Sequence, residues 1–212
     1  MRTEVAQLRL LTWFSPAFPT GAFGYSHGLE TAIREGKVSV AERLEAWIEG
    51  LLEYGSGWTD AVLFALAWGE PARLGEIAEL AEALCPSLER RKETLALGAA
   101  FASAVKPWAS GLSPLPYPVT AGAACAAADI PLEAALRAFL HGFAANLVSV
   151  GVRAIPIGQS DAVAILAALE PLILATAARA YVASDDDLGA CALVSDIAAM
   201  RHEILQPRLF IS

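Results

Sequence analysis

Apolar residues recur at helical spacing almost from one end of the chain to the other. Between Ser39 and Tyr54, the residues Leu44, Trp47, Ile48, Leu51 and Leu52 occupy one stripe, with Glu45 and Glu49 outside it. Ser39 and Glu42 have capping-box spacing, in which each side chain satisfies an orphan backbone N–H. A second stripe, Leu132, Leu136, Phe139, Leu140, Phe143, Leu147 and Val150, predicts a helix opening at Pro131. Proline at a first helical position loses nothing, because that N–H has no partner anyway. Asp60 to Trp68 is apolar nearly all round and predicts a buried central helix, ended by Pro71. Leu74 to Leu84 is amphipathic and stops before Pro86, and Ser87 is placed to cap a helix running to Val105. Pro107 to Pro118 reads as a loop and Val119 to Ala128 as an Ala-rich helix. Glu170-Pro171 divides two further helices, Ser160 to Leu169 and Leu172 to Val182. Asp185 to Asp187 reads as a solvated turn, and Asp196 to His202 as a last helix before an extended tail. No run combines strict alternation with β-branched enrichment. The expectation is a single-domain, all-α bundle of about ten helices over residues 1–212, with no sheet.

Composition sharpens this picture. Apolar residues make up 56% and charged residues 18% of 212 residues, and mean hydropathy is +0.48. A chain this long buries roughly 70% of its unfolded surface and needs no disulfide or metal staple. The three cysteines, Cys85, Cys125 and Cys191, are scattered, against a disulfide framework or a CxxC site. The net charge of −8, without a dense Lys/Arg cluster, argues against nucleic acid as a partner. The longest uncharged run, Pro107 to Ala128, contains four prolines, and Ala138 to Val152 has only 15 residues and carries His141 and Asn146. Neither matches the ~20 apolar residues of a membrane span. Arg2, Glu4 and Arg9 precede only a short apolar stretch, unlike a secretory signal. The expectation is a cytoplasmic chain, off the membrane, whose surplus apolar surface a partner protein covers.

Candidate chemistry is sparse. HExxH, GxSxG, Walker-A and GxGxxG motifs are all missing. The Gly-rich Gly21-Ala22-Phe23-Gly24 has no following Lys to hold a phosphate. The three histidines, His27, His141 and His202, stand apart, so no metal site and no cofactor are expected; His141 reads as a packed or rim residue and Cys125 as a small buried hydrophobe. The informative stretch is Ser15 to Glu30, SPAFPTGAFGYSHGLE, where prolines and glycines flank aromatics. It predicts a rigid, backbone-dominated turn with Gly21 or Gly24 at positive φ. The competing structural reading is an aromatic plug that tucks the first helix onto the bundle.

This stretch resembles the SPxxPxGxFxxSxGLE signature of the urease accessory protein UreF family. Three further segments are similar in order and spacing: Tyr117-Pro118-Val119-Thr120-Ala121-Gly122 to YPVxxG, Arg153-Ala154-Ile155-Pro156-Ile157-Gly158-Gln159 to RxxPLGQ, and His202-Glu203 with Arg208-Leu209-Phe210-Ile211-Ser212 to HE…RLFRS. The resemblance covers nearly the whole chain. One departure is Ile211, which stands where the family has a basic residue. The resemblance implies an all-helical, homodimeric, non-enzymatic helper that bridges UreD (also called UreH) and the GTPase UreG and supports nickel insertion into apo-urease. On that basis the partner-binding or nickel-route residues are Ser15, Pro16, Gly21, Phe23, Ser26, Gly28, Leu29, Glu30, Tyr117, Arg153, Gln159, His202, Glu203, Arg208, Leu209 and Phe210.

Other readings stay open at this point. Arg153 or Arg208 could serve as an arginine finger if the chain is a GTPase-activating protein proper. Glu30 or Glu203 would be the base of a hydrolase, and His27 or His202 would carry a metal. Glu30 also fits a first helical turn, where it complements the dipole. Arg153 and Gln159 either line a polar passage or hydrogen-bond an interhelical turn. The tail from Glu203 to Ser212, rich in Ile204, Leu205, Leu209, Phe210 and Ile211, is expected to fold onto UreD with Phe210 as anchor and Arg208 at the rim; the alternative is that it packs back on its own bundle.

Overall fold

The computed structural model describes residues 2–212, and among them there are helices and turns but no strand. The helices are α1 (Arg2–Trp13), α2 (Leu29–Arg34), α3 (Ala41–Tyr54), α4 (Ser56–Gly69), α5 (Leu74–Ala83), α6 (Leu88–Ala104), α7 (Tyr117–Ala127), α8 (Leu132–Ala154), α9 (Gln159–Tyr181) and α10 (Leu193–His202). The all-α expectation therefore holds. The nearly all-apolar α4 is the axis of the bundle: its residues Ala61 to Ala67 are buried, and α3, α7, α8 and α9 pack around it. Small residues set how close α7 comes. A Cβ added to Gly122 would collide with the Phe64 carbonyl of α4, so the contact is made between backbones. An aromatic cluster joins the first helix to the centre. Trp13 meets Phe101 edge-on at 6.0 Å, Phe18 lies 5.5 Å from the same ring, and Phe64 and Phe139 are 5.0 Å apart. Phe18 thus plugs α1 onto the bundle, as the structural reading of its segment holds.

Several boundaries differ from expectation. Pro171 does not divide two helices but lies inside the continuous 23-residue α9. It faces solvent, as does Ala167, whose carbonyl loses its helical donor and can be met by water. The buried Leu169, Ile173, Thr176, Ala177 and Ala180 hold both halves against the bundle. Ser39 caps nothing: α3 opens at Ala41, with Val40 at the cap and no side-chain cap bond. Its register comes instead from Leu44, Ile48, Leu51 and Leu52, all buried. Pro131 takes the cap position just before α8. Ser87 does cap α6, accepting from the Arg90 N–H at 3.2 Å. By length and composition α8 and α9 could each cross a membrane, yet half of the apolar window of α8 and a third of that of α9 are buried inside the protein. Both helices pack on α4 and on each other.

Candidate functional site

The Ser15–Glu30 segment folds as a backbone-dominated turn. Ser15 Oγ accepts from the Ala17 N–H at 3.1 Å, and Gly21 and Gly28 have φ of 79° and 76°. His27, between Ser26 and Gly28, also has positive φ, 53°, which is strained for a residue with a side chain. Gly28 has two reasons to be glycine: its φ, and α10, whose Ala199 nitrogen would lie 2.6 Å from an added Cβ.

Residues 203–212 return to this segment. The Ile211 N–H donates to the Gly24 carbonyl at 2.7 Å, and the Ser26 N–H and Oγ donate to the Ser212 main-chain oxygen at 2.6 and 2.5 Å. Glu30, only 2% exposed, receives the tail between these points. Its Oε1 accepts the Leu209 N–H at 2.8 Å and its Oε2 the Phe210 N–H at 2.9 Å. Arg34 lies 3.1 Å from Oε1, and His202 Nε2 lies 3.1 Å from Oε2. The other His202 nitrogen faces Glu89 at 2.7 Å, and Glu89 also pairs with Arg208 at 2.5 Å. Burial pushes the Glu30 carboxyl up, but the Leu209 N–H, the His202 ring and the Phe210 N–H together outweigh it and hold the group below the ordinary carboxylate range.

The tail therefore does not leave the bundle, and Phe210 is not a free anchor. It is 4% exposed beneath Arg153, whose guanidinium lies 4.6 Å above the ring. The physical reason is the main chain. An extended tail needs acceptors for its N–H groups, and Glu30 and Gly24 supply them. Leu209, Ile211 and Ile204 remain 73%, 56% and 83% exposed. Glu30 sits in the first turn of α2, but its oxygens are committed to the tail, not to the helix dipole alone.

Not every expected residue joins this clamp. Ser15, Pro16, Phe23 and Tyr117 line a separate cavity of about 70 Å³ beside Asn146. Glu203 accepts the Leu88 N–H at 2.9 Å and so closes the start of α6. Gln159 opens α9 in solvent. Arg153 is exposed as well, with its Nε donating to the Ser149 carbonyl at 3.1 Å, so these two residues do not line a passage between helices.

A second buried cluster escaped sequence reasoning. Glu93, fully buried on α6, lies 2.5 Å from Arg90 and 2.9 Å from His27, and accepts the Ser212 hydroxyl at 2.7 Å. Arg90 also faces Asp60 of α4 at 3.5 Å. These groups border a cavity of about 60 Å³ with Tyr117 and Asn146. Burial raises the Glu93 carboxyl, but Arg90, His27 and Ser212 overcome this and bring it to about 2. Asp60 goes the other way. Burial lifts it to about 6, Arg90 opposing and Glu93 reinforcing the rise. Burial and then Arg90 lower the His27 pKa, against the pull of Glu93. The only sequence signal for this cluster is the i, i+3 spacing of Arg90 and Glu93. Among the described residues, no three His, Cys, Asp or Glu side chains are grouped to hold a metal ion.

Comparison with known proteins covers both clusters. A family model described as UreF matches residues 38–170. A protein from Mesorhizobium japonicum named urease accessory protein UreF is 49% identical, covering 99% of this chain and 98% of its own length. One of the same name from Brucella ovis is 48% identical over 98% of this chain and 94% of its own. Another, from Rhizobium leguminosarum bv. trifolii, is 50% identical over 98% and 96%. The Ser15–Glu30 turn and the whole tail lie outside the family-model match but within the reach of alignments this long. With a family match over more than half of its length and half of its residues shared with such relatives, the chain belongs to the urease accessory protein UreF family.

Proposed function

We propose that this chain is a non-catalytic scaffold of urease maturation, a cytoplasmic homodimer that bridges UreD (UreH) and the GTPase UreG and supports nickel insertion into apo-urease. The observation that carries this reading is the clamped tail. Its polar backbone is fastened inward by Glu30, Gly24 and Ser26, while Leu209, Ile211 and Ile204 face solvent. Neighbouring Phe23 and, on α10, Leu193, Val194, Ile197 and Met200 are exposed too. So much ordered apolar surface fits a partner protein such as UreD. An arginine finger must extend into a partner's phosphate site. Arg153 instead covers Phe210, and Arg208 pairs with Glu89, so both candidates fit better as parts of the scaffold than as fingers.

Co-purification of the full chain with UreD tests the proposal. Leu209→Asp together with Ile211→Asp changes only outward side chains, so the helical circular dichroism stays as in wild type and UreD capture is lost. Undiminished capture by the double variant, with normal urease activation, overturns this assignment of the surface.

A further inference from the structure

At the far ends of α4 and α9, where α8 begins, lies an open groove of about 500 Å³ that the clamp does not touch. Trp68 and Tyr181 contribute its aromatic rings, Glu70 and Glu133 its carboxylates, and Leu66 and Leu132 its apolar floor. Trp68 is held in place, because its indole N–H donates to the Ile130 carbonyl at 2.9 Å. That bond occupies its single donor and leaves the ring to act as a π surface. Tyr181 is 54% exposed at the end of α9. The two carboxylates are only partly neutralised. Glu70 gives Oε2 to Arg73 at 2.7 Å, and Glu133 gives Oε1 to Arg137, so in each an oxygen is left over. Arg73 is itself shared, pairing with Glu76 at 2.7 Å and Asp185 at 2.5 Å as well. One guanidinium facing three carboxylates leaves this end of the molecule negative.

We propose that this groove receives an arginine side chain presented by a partner protein. A guanidinium stacks flat on aromatic rings while its edge donates to carboxylates, and it is less strongly hydrated than an ammonium. Rings and carboxylates bordering one groove therefore suit Arg better than Lys. A neutral or acidic side chain gains nothing from the residual negative charge. The volume is within the range of sites that enclose a ligand group, and far exceeds what one side chain fills, so residues flanking the arginine would share it. The groove is separate from the surface assigned to UreD, and its test needs neither UreD nor urease.

The probes are the peptides Gly-Arg-Gly, Gly-Lys-Gly and Gly-citrulline-Gly, titrated into the full chain and followed by NMR at the Trp68 indole N–H. Citrulline keeps the shape of arginine without its charge. The expected result is a saturable shift with the arginine peptide, a weaker response to lysine, and affinity about tenfold lower for citrulline. Glu70→Gln with Glu133→Gln, one at a half-buried and one at an exposed position, weakens the arginine peptide to the level of citrulline without altering circular dichroism. Trp68→Phe is a second variant that keeps a ring; followed at the Tyr181 backbone amide instead of the indole, it retains most of the binding. Equal binding of citrulline, or arginine binding unchanged in the double variant, overturns the proposal, as does the lack of any shift at Trp68.

Discussion

Glu30 and Asp60 are both acidic side chains withdrawn from water, and their environments drive them in opposite directions. Glu30 meets two main-chain N–H groups, an imidazole and a guanidinium within 3.1 Å, and stays ionised below its ordinary range. Asp60 has Arg90 at 3.5 Å, and that guanidinium is engaged more closely by Glu93, at 2.5 Å. Its pKa rises to about 6. Burial alone does not decide the charge state; the number of donors that converge on the carboxylate does. The contrast also separates two tasks. Glu30 fastens a chain segment by its backbone, and only an ionised carboxylate accepts on both oxygens at once. The Asp60 cluster fastens helices α4 and α6 to the His27 turn, and carries one negative charge more than it can balance when Asp60 ionises.

The sharpest way to break the comparison is Glu93→Ala, which takes from the buried Arg90 its nearest carboxylate and leaves it only the more distant Asp60. Loss of one partner of a buried pair costs about 3–5 kcal/mol, so urea denaturation should show a midpoint far below wild type. An unchanged midpoint would mean that solvent already reaches Arg90.

Asp60→Asn should act with the opposite sign. Asp60 has a folded pKa of about 6 against an ordinary value of 3.8, so its ionisation costs stability progressively as pH rises through that window. Above it the full penalty, on the order of 3 kcal/mol, is present. The Asn variant should therefore be more stable than wild type at pH 8 and nearly equal to it at pH 4. Parallel stability curves for the two proteins would refute the assignment. Glu93 contributes the reverse dependence. Its depressed pKa of about 2 gives stability that is present above the ordinary value of 4.5 and lost as pH falls toward 2.

Glu30→Ala leaves two tail N–H groups without their acceptor, and His202 with one carboxylate instead of two. A loss of about 2–3 kcal/mol is expected, well above the ~0.3–1 kcal/mol of a helix-dipole contact. Amide exchange at Leu209 and Phe210 should quicken before that of α4. If exchange quickens uniformly, the tail is part of the global fold and not a separately clamped segment. The smallest effect belongs to Ser26→Ala. The Ser212 oxygen keeps the Ser26 N–H, and what disappears is the hydroxyl, which donates to that oxygen and accepts the Glu30 N–H at 3.3 Å, at about 1 kcal/mol. A thermal-melting shift as large as that of Glu30→Ala would move the centre of the clamp from Glu30 to Ser26.

Hydrophobic spacing by itself determined the helical class, the stripe of α3 and the buried character of α4, and residue type placed the Ser87 cap, because each depends on residues a few positions apart. The Ser15–Glu30 and HE…RLF segments also stood out in the sequence, as did their kinship with one family. What they do to each other did not. Glu30 and Leu209 are 179 positions apart, and no local pattern says that a carboxylate in one will accept the backbone of the other. The tail looked like an apolar end in need of a partner because side chains can be counted in a sequence, whereas unsatisfied main-chain N–H groups cannot. The buried cluster of α6 was out of reach for a related reason: i, i+3 spacing shows that Arg90 and Glu93 are neighbours but not which way they face. Pro171 misled because a helix can carry a proline where the freed carbonyl meets water and buried neighbours hold both halves in place, and that exposure is set by the bundle. Those outcomes were decided by tertiary structure, where long-range contacts determine which polar groups lose water and which protein groups replace it.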